Sequence, residues 1–454
     1  MPTRAPAAPA DPTTALPDIQ FDIGAFVAPG HTIDGVRVRF PPIYTTFLTM
    51  RLARTPTRDD QQSLAGALAA IEQRYAFAPR GLFVIAAYGI PYFQRLPGGM
   101  TGALVSGHIP TLRSAPRLAL EEAVPAPTDV APANPQIVKR EFNVPVAIEA
   151  NDMVLILRSD SLENISDVIA YLTTGTSTLA GQTAPPAGLE GLLQVTSRRL
   201  MFQRAGLPRQ LAEHHRLPYA AMISPRSSMW MSFADQQVTG SGPAAATTFA
   251  GNPSARLTVA RRGDYFDNGA ILHLSHLIED LEPFYLTEPY IERVQYLFRS
   301  NPIPSVGYDD QFTNGGGPAF LPNTFHGTTN AANSAAGINS FENQRRLGHL
   351  SALQRSSRAP DGIPLHIRAD GPGFDSMDVP DGSLQPKLQF AIFIPTASFF
   401  ATMRRSQASL DLAKRYRISG KHNGIERFVT ATRRQNFLVP PRRNRSFPLV
   451  EFVR

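Results

Sequence analysis

Apolar and polar residues in the first half of the chain follow patterns that predict alternating strands and helices. Ile43–Ala53 is rich in β-branched and aromatic residues, and Gly81–Gly89 and Asp152–Ser159 are strand-length apolar runs. In Asp59–Tyr75 and Ser161–Leu172, apolar residues recur every three or four positions, which is the spacing of one helix face. The serine that opens the second of these segments suits a helix N-cap. The predicted order is therefore strand, helix, strand, loop, strand, helix.

The second half repeats this plan with different residues. Asn268–Glu279 alternates like a strand, and Lys387–Pro395 is a second strand. Glu288–Ser300 and Thr396–Ala413 carry apolar residues at helical spacing, and Thr396 is the predicted N-cap of the later helix. Because both halves follow the ferredoxin-like order, we predict a duplicated ferredoxin-like α+β fold of the dimeric α/β-barrel type. It would have two antiparallel sheets with helices packed on them.

Pro-, Gly- and Ala-rich stretches predict where this arrangement divides. Residues 1–20 read as a flexible Pro/Ala-rich tail, and "GSGPAAATTFAGNPSA" reads as a linker near residue 245. The expected halves are therefore 21–245 and 246–454. Residues 301–361 form a Gly/Asn/Ser-rich loop of a length that is usually functional or disordered. We expect this loop to fold over a site on the second sheet.

Composition excludes several classes of function. The chain has no cysteine, which excludes disulfides, thiolate catalysis and cysteine-held metals. No apolar run approaches the roughly 18 residues of a membrane helix, and the N-terminus lacks an export signal, so we expect a cytoplasmic protein without a membrane partner. The net charge is +7, but only four of the 44 basic residues are lysine. This general excess of arginine weakens any inference of nucleic-acid binding.

The stretch "DGIPLHIRADGPGFD" places a histidine and an arginine, His366 and Arg368, just before a Gly/Pro turn. Taken alone, His366 is a metal ligand, a general base, or a histidine that ends a strand. His273 and His276 are three residues apart, which would suit a shared metal on a helix. Because we expect a strand there, we expect the two side chains to point to opposite faces of the sheet.

The basic run Glu426–Arg445 interleaves arginines with apolar residues and two prolines. Arginine beside phenylalanine is compatible with RNA or DNA contact. The apolar residues favour a closing strand packed on the body, with the arginines paired to acidic residues. We therefore do not expect a nucleic-acid partner.

Five phrases, in this order along the chain, resemble the dye-decolourising (DyP-type) peroxidases, heme enzymes built from two ferredoxin-like halves. They are "LFVIAAYGIPYFQRL", "DMVLILRSDSLENISDVIAYL", "PLHIRADGPG", "FAIFIPTASFFATMRRSQASLDL" and "NFLVPPRR". The third resembles the segment that carries the proximal heme histidine. The phrases are short and scattered, and their order is more specific than any one of them.

The resemblance implies a heme-dependent peroxidase that binds heme b and oxidises a reducing substrate with peroxide. His366 would be the proximal iron ligand, and Arg368 would pair with a heme propionate or a carboxylate. Asp235 stands where the family has its distal aspartate, which relays a proton between the peroxide oxygens. Lys387 is the only cation in the stretch where the family has a distal arginine, so it would stabilise developing negative charge. A homo-oligomer is also expected.

Departures from the family pattern leave a second hypothesis open. Ser232 and Gln236 replace the two glycines of the Gly-x-x-Asp-Gly motif, and Ser376–Phe390 contains no arginine. The alternative is a non-catalytic peroxidase-like scaffold, with its pocket lost or repurposed, that acts in ligand binding or assembly. A large apolar cavity beside His366 would favour the enzyme. Bulky side chains packed into that space would favour the scaffold.

Overall fold

The computed structural model describes residues 15–27, 29–33, 36–123, 146–233, 243–252, 257–297, 335–349, 352, 355–356 and 363–453. The strands are β1 (His31–Ile33), β2 (Val36–Val38), β3 (Tyr44–Leu52), β4 (Phe83–Gly89), β5 (Ala147–Ile148), β6 (Met153–Ser159), β7 (Thr178–Leu179), β8 (Gln182–Thr183), β9 (Leu193–Phe202), β10 (Ala270–Glu279), β11 (Ile367–Arg368), β12 (Gly371–Asp375), β13 (Gln385–Ile394) and β14 (Val429–Val439). The helices are α1 (Arg58–Arg74), α2 (Ile90–Arg95), α3 (Ala103–Ser106), α4 (Leu162–Thr173), α5 (Leu207–His214), α6 (Leu281–Leu286), α7 (Tyr290–Leu297), α8 (Ala335–Glu342), α9 (Ala397–Ala408) and α10 (Leu410–Tyr416). Among these described helices, none has both the length and the apolar character needed to cross a bilayer.

The two halves of the chain have the same strand order. In the first half, the neighbours run β4-β6-β3-β9, and in the second half β11 and β12 both pair with β13, followed by β10 and β14. Numbered by position within each half, both orders are 2-3-1-4, which is the ferredoxin-like arrangement, and these pairings are antiparallel. The predicted fold class is therefore confirmed.

The two sheets are continuous and curl towards a barrel. Strand β14 pairs with β4 through Phe437 opposite Gly89 and Leu438 opposite Tyr88. At the other end of the path, β12 lies directly against β9, because a Cβ added to Gly373 would come 2.9 Å from the carbonyl oxygen of Leu200. The side chains of the curled sheet therefore alternate between an interior face and an outer face that is covered by helices.

Each face has its own apolar core. On the interior face, side chains from both halves meet, including Phe47, Ile156, Leu272 and Phe393. On the other face, which we call the helix face, the intervening strand residues pack against α1, α4 and α9 in one continuous core. The face to which a strand residue points therefore decides which part of the molecule it can reach.

We expect Gly373→Ala to lower the free energy of unfolding by about 1–3 kcal/mol, because its new methyl group meets the backbone of β9 and cannot be accommodated without a shift. The matched control is Gly66→Ala in α1, where an added Cβ meets nothing within 4 Å. That change should stabilise the protein by about 0.5–1 kcal/mol. Urea unfolding of both variants tests this expectation. Equal stability of the two variants would show that β12 and β9 are not in contact.

Most predicted elements are confirmed within a residue or two, and one prediction is wrong. The predicted single helix Thr396–Ala413 is two helices, α9 and α10, which are separated at Ser409, where φ is 49°. Thr396 makes no capping bond to the helix backbone; its hydroxyl lies 3.1 Å from that of Ser398. Helix α1 begins with a capping box instead, in which Thr57 and Asp60 bond to each other's backbone N–H.

The predicted tail and loop lie largely outside the described residues. Residues 1–14 fall outside them, whereas Gln20 is buried and its Nε2 donates to the carbonyl oxygens of Ala86, at 3.0 Å, and Pro440, at 2.7 Å. The chain is therefore anchored to the sheet at this residue. Of the 301–361 loop, only parts between 335 and 356 are described, and the halves' boundary near 245 stays a prediction.

The basic run near the C-terminus forms the predicted closing strand. Strand β14 lies in the middle of the continuous sheet, between β10 and β4. Arginines in and around it form ion pairs with acidic residues elsewhere in the chain: Arg427–Glu288, Arg433–Asp378, Arg442–Glu72, Arg443–Asp18, Arg443–Asp267 and Arg445–Glu72. The interpretation of these arginines as structural is confirmed.

Candidate functional site

A small cavity lies on the helix face of the second half, between strands β10, β13 and β14 and helix α9. We call it the helix-face cavity, and its volume is about 70 Å³. It is lined by Ser275, Leu277, His349, Arg368, Asp370, Leu388, Phe390, Phe400, Arg404, Gln407, Ile425, Glu426, Val429, Ala431 and Arg434. Alternate residues of each strand supply this lining, as the twofold periodicity of a strand requires.

Five of the fifteen residues that line this cavity are charged, and some of them are paired. Arg404 on α9 donates to Glu426 through both terminal nitrogens, at 3.0 and 2.7 Å, and both residues are buried. Arg434 on β14 lies with its guanidinium 5.2 Å from the ring centre of Phe400. Burial lowers the pKa of His349 to about 4, so this histidine is neutral at pH 7. Among the described residues, an ion pair and aromatic packing therefore border the cavity.

His366 is buried on the same side of the sheet as α9. It precedes β11, and its ring centre lies 6.4 Å from that of Phe399, with the rings 28° from parallel. It is not among the described residues that line the helix-face cavity. Among the described residues, His366 therefore packs against α9, and its role as an iron ligand stays a prediction.

Lys387 lies on the other face of the sheet. It shares the interior face of β13 with Ala391 and Phe393, whereas Ile392 and Ile394 join the helix-face core. Its Nζ donates to the carbonyl oxygen of Met377 at 2.6 Å and lies 3.7 Å from a carboxylate oxygen of Asp375. Burial lowers the pKa of Lys387 to about 8, although the nearby carboxylates oppose this shift. The structure therefore does not bring Lys387 and His366 together.

Three further positions from the sequence analysis are Arg368, Asp235 and Ser232. Arg368 lies 3.9 Å from Asp370 and lines the helix-face cavity. Asp235 lies outside the described residues, so its role stays a prediction. Ser232, which stands where the family has glycine, has a left-handed φ of 68°, and its hydroxyl is 2.6 Å from that of Tyr285. The backbone at Ser232 thus keeps a glycine-like conformation despite the substitution.

Sequence reasoning missed a charged cluster on the interior face. Its members, which we call the interior charge cluster, are Glu149, Arg199, His276, Asp375, Asp378, Lys387 and Arg433. Arg433 donates to both oxygens of Asp378, at 2.8 and 2.7 Å. Burial alone would raise the pKa of Asp378, but the bonds with Arg433 hold it below its ordinary value. The sequence did contain a signal for this cluster: each of strands β9, β10, β13 and β14 carries an ionisable residue at a position that faces the interior.

The two strand histidines do not share a site, as expected. His273 points to the helix face, where its ring stacks on Phe400 and its Nδ1 lies 2.7 Å from Oδ1 of Asn436. His276 points to the interior, where its Nε2 lies 3.4 Å from Asp375. Across the described residues, no group of three or more histidine and carboxylate side chains is arranged to hold a metal ion.

The residues described around the helix-face cavity do not fit a heme. Sites for ligands of drug size or larger occupy about 300–1,000 Å³, whereas this cavity measures about 70 Å³. Its walls are tied together by the ion pair between Arg404 and Glu426, which crosses from α9 to the segment before β14. A porphyrin in this cavity would have to displace this pair or the ring of Phe400.

Comparisons with known proteins place the chain in a family and show its fold. A family model described as a family of unknown function, DUF7405, matches residues 119–441. No curated protein matches the chain. A DyP-type peroxidase from Cellulomonas bogoriensis is 13% identical, with a TM-score of 0.51, and the match covers 91% of this chain and 94% of that one. A DypB variant from Rhodococcus jostii in complex with heme is 12% identical, with a TM-score of 0.50, covering 91% and 96%.

These similarities confirm the predicted resemblance to the DyP-type peroxidases at the level of fold. The chain has a peroxidase-like scaffold. At such low identity the likeness carries no information on individual residues, so activity depends on the site and not on the scaffold.

Proposed function

The chain belongs to the DUF7405 family, whose function is unknown, and on that premise we propose that it is a ligand-binding protein on a peroxidase-like scaffold. In this proposal the heme position of the scaffold has been filled by side chains. The protein then acts through binding and has no peroxidase activity. This is the second of the two hypotheses that the sequence left open.

One observation carries the proposal: among the described residues, the cavity on the helix face of the second half is small. The cavity that remains there has a volume of about 70 Å³ and is bordered by Arg404, Glu426 and Phe400. A buried Arg–Glu pair is destabilising to break, because removal of one partner leaves an uncompensated charge. A ligand of porphyrin size in this cavity would have to separate the pair, and this opposes its binding.

The other candidate function is a heme b-dependent peroxidase, favoured by one observation. His366 is buried on the helix face beside α9, as a proximal ligand would be. In that case His366 would hold the iron and Arg368 a propionate, with peroxide and a reducing substrate as partners. Asp235 and Lys387 would act on the distal side. Lys387 disfavours this candidate because it points to the interior face.

We expect purified protein titrated with hemin to give no stoichiometric Soret band. The spectrum should be the same for wild type and His366→Ala, because the packed helix face excludes the porphyrin. The matched control is His215→Ala, since His215 is exposed and reports adventitious surface binding. Loss of a stoichiometric band in His366→Ala, with the band kept in His215→Ala, would overturn the proposal in favour of the peroxidase.

A further inference from the structure

A second and larger cavity opens on the interior face of the sheet. We call it the interior-face cleft, and its volume is about 590 Å³. Its apolar walls include Phe21, Ile23, Ile367 and Phe393, and the rings of Phe21 and Phe393 stack with centres 4.2 Å apart. This volume lies within the range of about 300–1,000 Å³ that is typical of small-molecule sites. Of the described residues considered above for a heme site, only Arg368 lines this cleft.

One arginine of the cleft, Arg158, is buried without a described carboxylate partner. It lies near the end of β6 on the interior face, two residues after Ile156, and it is only 5% exposed. Its Nε donates to the hydroxyl of Thr45 at 3.1 Å. Within the described part of the chain it forms no ion pair with a carboxylate, and burial lowers its pKa to about 10. A buried cation without a counter-charge is costly, so a bound anion would be favoured here.

The other two arginines of the cleft have partners. Arg39 donates to the carbonyl oxygens of Gly24, at 2.8 Å, and Val27, at 3.1 Å, so it holds the loop that forms one wall. Arg368 lies 3.9 Å from Asp370. The lining contains Arg39, Arg158 and Arg368 against Asp22 and Asp370, which leaves one formal positive charge in excess. Of the three arginines, Arg158 is the one whose described hydrogen bond goes to a hydroxyl and not to a carbonyl or carboxylate.

We propose that the interior-face cleft binds a carboxylic acid with an apolar body, and that Arg158 pairs with its carboxylate. A guanidinium offers parallel donors that match one carboxylate, and the aromatic walls suit an alkyl or aryl chain. A phosphate would call for several free donors, whereas the cleft offers one such cation. The inference rests on the proposed ligand-binding role and names the class of ligand.

The test is calorimetric titration of the full chain with decanoate, and with decanol as the uncharged probe of equal length. We expect wild type to bind decanoate at least about tenfold more tightly than decanol, because a charge-assisted bond is added to the same apolar contacts. Arg158→Met should lose this preference and bind both probes alike, whereas Arg158→Lys should keep part of it. The control Arg113→Met, outside the cleft, should match wild type.

Equal binding of decanoate and decanol by wild type would overturn the inference, and so would undiminished decanoate preference in a folded Arg158→Met. Circular dichroism establishes folding, and Arg158→Gln replaces the methionine variant if the latter is unfolded. Inorganic phosphate is titrated in parallel, and tighter binding of phosphate than of decanoate would also overturn it. Hemin spectra of the same samples separate the two proposals: a His366-dependent Soret band refutes the heme-free function, whereas the decanoate preference reports on the cleft alone.

Discussion

Arg404→Met should lower the free energy of unfolding by about 3–5 kcal/mol at pH 7, measured by urea denaturation. The variant leaves the carboxylate of Glu426, which is 1% exposed, without the guanidinium that now donates to both of its oxygens. A buried carboxylate without this partner lowers the stability of the folded state, whether it stays charged or takes up a proton. The loss should therefore exceed that of an ordinary large-to-small surface change.

The double variant Arg404→Met/Glu426→Leu should recover most of this loss, because an apolar pair of similar volume removes both buried charges. The matched control is Arg209→Met, whose partner Glu213 is exposed, and it should change stability by about 0.5 kcal/mol or less. A loss below about 1 kcal/mol in Arg404→Met would mean that the pair is hydrated. The helix face would then be more open, and the heme candidate would gain support.

Glu279→Gln should stabilise the protein, on the order of 3–5 kcal/mol at pH 8–9. Burial raises the pKa of Glu279 at the end of β10 from its ordinary value of 4.5 to about 8. Folding must therefore either protonate this side chain or bury its charge. Glutamine has nearly the same shape as the protonated acid but never ionises.

The pH dependence gives the sign of this effect. Between about pH 4.5 and 8 the folded protein binds a proton at Glu279 that the unfolded chain has released, so wild type loses stability as the pH rises through this window. Below pH 4.5 both states are protonated, and the difference between wild type and Glu279→Gln should vanish. Thermal melts from pH 4 to 9 measure it. The control Glu282→Gln, on the exposed side of α6, should stay within about 0.5 kcal/mol. A constant offset between Glu279→Gln and wild type across this range would contradict the assignment.

Strands and helices were predictable because periodicity directly reports which residues are buried. The apolar positions of Asp59–Tyr75 lie in the helix-face core, as their helical spacing predicts, and those of Asp152–Ser159 alternate between this core and the interior core. Strand β12 was not predictable, since "GPGFD" has two glycines and a proline and no β-branched residue. Its extended form depends on pairing with β13 and on its contact with β9. The break at Ser409 was missed because the apolar spacing continues across it.

The candidate site was only partly predictable, because a linear pattern does not say which side chains share a face. His366 precedes β11 and lies beside α9, whereas the alternation of side chains along β13 sends Lys387 to the interior with Ala391 and Phe393. Arg158 carried no signal in the sequence, since it appears there as one arginine at the end of an apolar strand. Its proposed role in ligand binding depends on the cleft that it lines.

By itself, the sequence determined the order of the elements, the duplication and the likeness to the DyP-type peroxidases, because burial period and phrase order are local properties. Only the tertiary structure decided which side chains share a face of the sheet and line the same cavity. The packing of α9 brings Arg404 against Glu426, and the curled sheet brings Arg158 and Arg368 to one cleft. Such contacts join residues that are distant along the chain, and the free energy of burying a charge depends on all the groups around it.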